Sequence, residues 1–396
     1  KVKVLKFGGT SVGSPDAIKR SASIISDWSK KYKVIAVLSA MSGETDRLIN
    51  LAKTFSKTPN SMDYDNAIST GENVSCSLMS IYLNNIKIKS RTLLSWQIPI
   101  RTSNEHMKSR ILSIEHDKIF KELQDYDVLL IPGFQGINAK NEITTLGRGG
   151  SDTSAVAVAA AIDAECIIYT DVDGVYTTDP RIAPKARKLD RITFEEMLEM
   201  ASSGAKVLQT RSVAMAMRYN VNLQVRSSFN DALGTLVVNE DSIMEQETIS
   251  GIAYSSDEAK ITIVGLPDRP GIAAAVFGQL ADHHVNVDMI VQSASSTTKT
   301  TDISFSVGRL DMEKAVEIIS KSRHSLEFET VVADPNVSKI SVVGTAMRSQ
   351  LGVAKTMFET LAAKGVNIQV ISTSEIKISV LIDAEYTELA VRSLHT

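Results

Sequence analysis

Two stretches of this chain repeat one another at a fixed distance. ITIVG at 261–265 returns as ISVVG at 340–344, while Gly271, Phe277, Leu280, Asn286 and Ile290 recur 81 residues later as Gly352, Phe358, Leu361, Asn367 and Ile371. Five matches at one offset mark an internal duplication, and a duplicated unit must bury its apolar face either within each copy or against the other. Each copy reads as a strand, a turn, an amphipathic helix and a second strand, with VNVDMI at 285–290 matching VNIQVI at 366–371. A pair of small α+β sandwiches related by pseudo-symmetry is expected. A purely structural dimerisation module would carry the same pattern.

The residues before the duplication follow a different rule. From residue 1 to about 240, short apolar runs at Val2 to Phe7, Val34 to Leu38, Val128 to Ile131 and Cys166 to Thr170 alternate with helix-patterned segments. Ser14 and Pro15 supply an N-cap and a first-turn proline, after which Ile18, Ala22, Ile25 and Trp28 share one helical face. A helix is expected directly after the first strand. This alternation implies an α/β fold with a mainly parallel sheet sandwiched by helices, whose ligands bind at the carboxyl ends of the strands. The acidic stretch Asn239 to Glu247 reads as a linker, dividing the chain into 1–243 and 244–396, with the two sandwiches at about 260–335 and 338–396 and their strands open to interleaving.

Charge and cysteine content narrow the function classes. The 43 basic and 46 acidic residues give a net charge of -3 with no block of five or six like charges, so neither nucleic acid nor an anionic membrane is an expected partner. The apolar stretch Ser154 to Ile162 is bracketed by Asp152 and Asp163 and falls far short of the roughly 18 residues a membrane span needs. It reads as a buried helix. Cys76 and Cys166 lack metal-ligand spacing, so no protein-bound metal is expected, and without a secretory leader a reducing cytosol fits best. The chain opens at Lys1 instead of methionine, so a few further terminal residues are expected.

Three loops carry the chemistry. In KFGGTS at 6–11, Gly8 and Gly9 leave room for backbone N–H groups to approach phosphate oxygens, and Lys6 adds a full charge. In GRGGSDTSA at 147–155, Arg148 can grip a carboxylate or phosphate with two parallel hydrogen bonds, and Asp152 can orient lysines or a metal-bound nucleotide. The third, TDVDGVYTTDPR at 170–181, follows an apolar strand and is rich in acids and turn formers. Taken singly, each is an ordinary turn or surface loop. Glu72 by itself reads as a helix-surface acid, and Thr45 as a cap for a helix starting near Asp46. No GxxxxGK[ST] occurs, so a P-loop nucleotide site is excluded.

Together with SAMSGETD at 39–46, STGE at 69–72 and GAKVLQTRS at 204–212, these loops form an ordered set of six blocks that resembles the aspartokinases of the amino-acid kinase family over nearly the whole chain. The duplication resembles the tandem, ferredoxin-like ACT modules of that family, with STSEIKISV at 372–380 especially similar. The resemblance implies transfer of a phosphoryl group from ATP, with Mg²⁺, to the side-chain carboxylate of L-aspartate. It assigns Lys6, Gly8, Gly9 and Lys206 to the ATP phosphates, Thr170, Asp171, Tyr176 and Arg181 to the nucleoside side, and Ser39, Thr45, Glu72, Arg148 and Ser151 to aspartate. Lys6, Lys206 and Asp152 would be catalytic, Asp152 as an organiser of the two lysines and not as a base, because a carboxylate acceptor is already ionised.

For an amino-acid effector, lysine and/or threonine, the resemblance implies Asp268, Asn286, Asp288 and Gln292 in the first module and Asn367, Ser374 and Glu375 in the second. Gln350-Leu351 and Ser293 depart from the family's usual residues, which leaves the effector's identity open. A homodimer or larger assembly is implied, and Met244 stands where some relatives start a separate regulatory subunit. Two alternatives stand beside this: another amino-acid kinase, acting on glutamate, N-acetylglutamate, carbamate or UMP, and a non-catalytic amino-acid sensor that keeps the fold only to bind nucleotide.

Overall fold

A computed structural model of the chain describes residues 1–242, 248–294 and 299–396, apart from the side chains at 348 and 349. Met244, the boundary at 243/244 and most of the expected linker lie outside the described residues. Two compact units are present, one from Lys1–Val175, Lys188–Leu198 and the described part of Lys206–Met244, the other from Tyr176–Arg187, Glu199–Ala205 and the described part of Glu245–Thr396.

In chain order the first segments are β1 (Val2–Phe7), α1 (Pro15–Ser29), β2 (Lys33–Leu38), α2 (Glu44–Phe55), α3 (Ser61–Ile68), α4 (Thr70–Asn85), β3 (Ser90–Thr92), β4 (Ile100–Thr102) and β5 (Ile111–Ile114). They continue as α5 (His116–Asp125), β6 (Val128–Pro132), β7 (Gln135–Ile137), β8 (Ile143–Thr145), α6 (Gly150–Ala161), β9 (Glu165–Thr170), β10 (Arg191–Thr193), α7 (Phe194–Ser202), α8 (Thr210–Arg218), β11 (Leu223–Ser227) and β12 (Thr235–Val238). Eight strands of the first unit form one sheet in the order β10-β12-β11-β9-β1-β2-β6-β3, parallel except where β11 meets β12. A smaller sheet has the order β5-β4-β7-β8.

The central strands are buried on both faces, which is why they read as unbroken apolar runs. Leu5 and Phe7 on one face pack with Ile18, Ala22 and Ile25 of α1 and Cys76, Met79 and Leu83 of α4. Helix α6 lies against β1, β2 and β9 and is buried along most of its length, as its alanine-rich, all-round apolar sequence demands. The strand order reverses direction at β1, with β2 on one side and β9 on the other, and the loops leaving these strands open a crevice there.

The expected Ser14 cap and first-turn Pro15 are present, and one expectation is corrected, because the helix does not follow β1 directly. The glycine pair after β1 opens into a short 3₁₀ turn, Gly9–Val12, and α1 starts only at the Ser14 cap, whose hydroxyl accepts from Ala17 N at 3.2 Å. Ser14-Pro15 fixes the helix start too firmly for the turn to join it.

The second unit continues with β13 (Gly251–Pro267), α9 (Ile272–Asp282), β14 (Val287–Ala294), β15 (Thr300–Gly308), α10 (Met312–Lys321), α11 (Arg323–Leu326), β16 (Thr330–Val343), α12 (Val353–Ala363), β17 (Ile368–Thr373), β18 (Lys377–Asp383) and α13 (Thr387–His395). The duplication is visible in the element bounds: α9 and α12, and β14 and β17, start 81 residues apart, and Gly271 and Gly352 cap the two helices in the same left-handed conformation, with φ of 91° and 95°. The modules are not separate beads. Residues Gly251 to Ser255 of β13 pair with Lys339 to Val343 of β16, whereas Ile261 to Val264 pair with Thr330 to Ala333, so both strands run through both modules. One antiparallel sheet, β14-β15-β13-β16-β18-β17, results.

At the crossing, buried Lys339 pairs with Glu258 at 3.2 Å and with Asp288. Burial pulls the Lys339 ammonium down, but the two carboxylates outweigh it and hold its pKa above the ordinary lysine range. The segments Tyr176–Arg187 and Glu199–Ala205 are built into this unit: Ile252 N donates to Thr177 O at 2.7 Å, Thr177 Oγ1 lies 2.7 Å from His395 Nε2, and Lys377 Nζ lies 2.7 Å from Glu199.

Candidate active site

The crevice in the first unit is a cavity of about 370 Å³. The exit of β1 contributes Lys6 and Gly9, the β2–α2 loop contributes Ser39 to Gly43 and Thr45, α4 contributes Glu72, and the β8–α6 loop contributes Gly147 to Asp152. Of the residues singled out in the sequence, Lys6, Gly9, Ser39, Thr45, Glu72, Arg148, Ser151 and Asp152 therefore meet in one place.

Close backbone approach explains Gly71 of the STGE block and Gly133 after β6. A Cβ on Gly71 would stand 2.8 Å from the Ala40 side chain, and one on Gly133 would stand 2.8 to 2.9 Å from Ser151. Only glycine lets α4 and the start of α6 come this near the loops after β2 and β6. Gly149 caps α6 with φ of 72°, which again favours glycine.

Lys6 and Asp152 form the charged floor. Strand alternation puts Lys6 on the opposite face from Leu5 and Phe7, toward α6, and its Nζ lies 2.7 Å from Asp152 Oδ1 with both side chains about nine-tenths buried. Among the described residues Asp152 Oδ1 has no well-directed hydrogen bond, so the contact is an ion pair. Glu72 is more exceptional. Its Oε1 accepts from Ala40 N at 3.2 Å, but its buried Oε2 has no hydrogen-bond partner among the described residues. Burial pushes this carboxyl up to a pKa of about 8, against the smaller opposing pull of backbone N–H groups. Arg148, by contrast, is exposed on its loop.

Thr45 is no helix cap: α2 begins at Glu44 behind Gly43, whose φ of 78° supplies the turn, so the Thr45 hydroxyl is available to the cavity. Gly8 sits just outside the lining, where its N donates to Tyr169 O at 3.3 Å. Thr170 and Asp171 lie at the exit of β9, Thr170 Oγ1 donating to Asp171 at 3.1 Å. Lys206 is exposed and does not line the cavity. Tyr176 and Arg181 belong to the second unit, where Arg181 binds Asp179 through two nitrogens at 3.0 and 2.7 Å.

The residues singled out for an effector are also in the second unit. Asp268 is exposed ahead of α9, Asn286, Asp288 and Gln292 lie on or beside edge strand β14, and Asn367, Ser374 and Glu375 lie around β17. Asp288 is already engaged by Lys339. Among the described residues no cluster of three or more His, Cys, Asp or Glu side chains could hold a metal ion, and no helix is long and apolar enough to cross a membrane.

Sequence reasoning missed Asp65 and Arg211, which support the β8–α6 loop from outside the cavity. No motif marks Asp65, which only its burial inside α3 gives away, and Arg211 lies within GAKVLQTRS without that block indicating a contact with this loop.

Comparison with known proteins places this geometry. Residues 1–227 match the model of the amino acid kinase family, and residues 249–322 and 340–396 match that of the ACT domain. The chain is 49% identical over 400 residues to the aspartate kinase of Pseudomonas putida, covering 99% of this chain and 96% of the relative. Its fold is similar to a crystal structure of Escherichia coli aspartokinase III in complex with aspartate and ADP, with a TM-score of 0.84 and 26% identity over 100% of this chain and 99% of the other. The same enzyme in complex with lysine and aspartate gives a TM-score of 0.79.

Proposed function

The chain belongs to the amino acid kinase family as an aspartokinase followed by ACT domains, a phosphotransferase with a carboxyl acceptor, and on that premise we propose how its residues divide the work. Arg148 takes the α-carboxylate of L-aspartate and Glu72 its ammonium, with the Ser39, Thr45 and Ser151 hydroxyls completing the shell. The β-carboxylate is then the only nucleophile left facing the nucleotide. One of its oxygens bonds to the γ-phosphorus of ATP as the bond from that phosphorus to the bridging oxygen breaks, giving 4-phospho-L-aspartate and ADP. No base is needed, because the attacking carboxylate carries no proton at neutral pH.

Lys6 and Lys206, with the backbone at Gly8 and Gly9, take the negative charge on the transferring group, and Asp152 holds Lys6 in place. Thr170 and Asp171 receive the nucleoside side. Mg²⁺ would come with the nucleotide, neutralising charge on its phosphates.

The observation that carries this reading is the buried, unpartnered Oε2 of Glu72. A desolvated carboxylate oxygen in a small cavity is costly unless a ligand supplies a cation, and a substrate ammonium is such a cation. The duplicated modules serve feedback: lysine and/or threonine bind through Asp268, Asn286, Asp288 and Gln292, or Asn367, Ser374 and Glu375, in a homodimer or larger assembly. The product feeds synthesis of the aspartate-derived amino acids lysine with diaminopimelate, threonine and methionine, in the cytosol. ADP release with ATP and Mg²⁺, measured with L-aspartate, L-glutamate, N-acetylglutamate, carbamate and UMP in turn, tests the assignment. Release confined to L-aspartate is expected, and equal release with another acceptor would overturn it.

A further inference from the structure

The loop that carries Arg148 has three glycines, at 147, 149 and 150, and glycines give access but no rigidity. A guanidinium that must offer two parallel N–H groups needs its backbone fixed from elsewhere. The structure shows where that fixing comes from.

Asp65, on α3, is fully buried and lines no part of the cavity. Its carboxylate accepts from Thr145 Oγ1 at 2.6 Å, Thr145 N at 3.1 Å and Met107 N at 2.9 Å, and lies 2.9 Å from His106 Nδ1. Thr145 ends β8, two residues before Gly147. Met107 holds a left-handed backbone, φ 66°, which a side-chain-bearing residue adopts reluctantly, and its carbonyl oxygen would stand 3.1 Å from a Cβ on Gly147. The Asp65 carboxylate thus fastens both the loop's first anchor and the strained turn against which Gly147 rests.

Arg211, on α8, supplies the second anchor. One guanidinium nitrogen donates to Leu146 O at 2.8 Å and another to Ser109 O at 2.8 Å. Ser109 in turn donates through both N and Oγ to Thr145 O, each at 3.0 Å. Two charged side chains from different helices therefore hold Thr145 and Leu146 from behind, on the side away from the cavity.

We propose that Asp65 and Arg211 are positioning residues for the substrate clamp, setting the direction in which Arg148 leaves its loop. This rests on the reading that Arg148 takes the α-carboxylate of aspartate. Neither residue touches substrate, so losing either should loosen aspartate selectively and leave nucleotide binding alone.

The test is steady-state kinetics with aspartate and ATP varied separately, below the unfolding temperature of every variant, for Asp65→Asn, Arg211→Lys, Arg148→Lys and the double variant Asp65→Asn with Met107→Gly. A small misplacement of a binding group typically costs about ten- to a hundredfold, so Asp65→Asn and Arg211→Lys should each raise KM for aspartate by about tenfold or more, with KM for ATP within about twofold. Adding Met107→Gly should recover most of the loss in Asp65→Asn, because glycine takes the positive φ without a carboxylate to hold it. A general loss of fold would not be rescued in aspartate KM alone. If Asp65→Asn does not fold, Arg211→Lys carries the same prediction. Aspartate KM unchanged, or both KM values rising together, while Arg148→Lys does raise aspartate KM, overturns the positioning role alone. Unchanged aspartate KM in Arg148→Lys overturns the substrate reading, and this proposal with it.

Discussion

Replacing Glu72 by Gln removes one buried charge while keeping the side chain's shape, and the change in proton binding can be worked out in advance. With a pKa of about 8 in the empty cavity, Glu72 carries its proton in roughly nine of ten molecules at pH 7. A bound ammonium favours the carboxylate, so aspartate binding should expel about 0.9 proton per site at pH 7 and about 0.1 at pH 9. Affinity for aspartate should rise about tenfold per pH unit below pH 8 and level off above it. Isothermal titration calorimetry at pH 7, in phosphate and in Tris, reads the proton directly, because the two buffers have different ionisation heats. The wild type should show heats that differ by about 0.9 of that difference, and Glu72→Gln should show none, with weaker binding. Stability gives an independent check. The folded pKa lies above the unfolded value of 4.5, so the empty protein holds a proton that the unfolded chain has lost. The contribution of Glu72 to stability is therefore greatest below pH 4.5 and falls as pH rises toward 8, by up to about 5 kcal/mol. Glu72→Gln should flatten that decline. Identical heats in both buffers, together with an unaltered pH–stability curve in Glu72→Gln, would refute the reasoning.

Lys6→Ala should lower kcat by about a hundredfold or more, since a group that stabilises the transferring phosphoryl matters most in the transition state; near-normal kcat in a rapid-quench assay would remove that role. Lys339→Ala leaves Glu258 buried without its cation, which should cost about 3 to 5 kcal/mol in denaturant unfolding of the second unit, and a loss below about 1 kcal/mol would mean the pair is dispensable. Asp268→Ala should shift the inhibitory concentration of the effector upward by about ten- to a hundredfold, the worth of one charge-assisted hydrogen bond, with basal kinetics unchanged. Overlaid inhibition curves for lysine, threonine and their mixture in the variant and wild type would free Asp268 of that role.

The strands were legible wherever burial on both faces wrote itself as a continuous apolar run: Val2–Phe7 is a strand to the residue, and β6 and β9 each extend the expected run by one. The duplication was legible because its spacing survives in helix starts and in the two left-handed glycines. What local pattern could not convey was pairing. Nothing in the run from Gly251 to Pro267 says that its first part belongs to one module and its second to the other, since register is set by partners far along the chain. The same limit hid the membership of Tyr176–Arg187 in the second unit, because TTDPR reads only as a loop. Residues that line the cavity lie in dense motifs and could be named, whereas Asp65 lies in no motif and Arg211, though inside GAKVLQTRS, works through backbone carbonyls that no local pattern discloses.

The central claim is that the phosphoryl group passes to the β-carboxylate of aspartate held between Glu72 and Arg148. Hydroxylamine intercepts an acyl phosphate as a stable hydroxamate, so the direct measurement is β-aspartyl hydroxamate formed beside ADP when the protein is incubated with ATP, Mg²⁺, L-aspartate and hydroxylamine. Equal amounts of hydroxamate and ADP are expected, with both lost on omitting aspartate and both reduced at subsaturating aspartate in Arg148→Lys. ADP without hydroxamate, or hydroxamate formed as readily from L-glutamate, would contradict it.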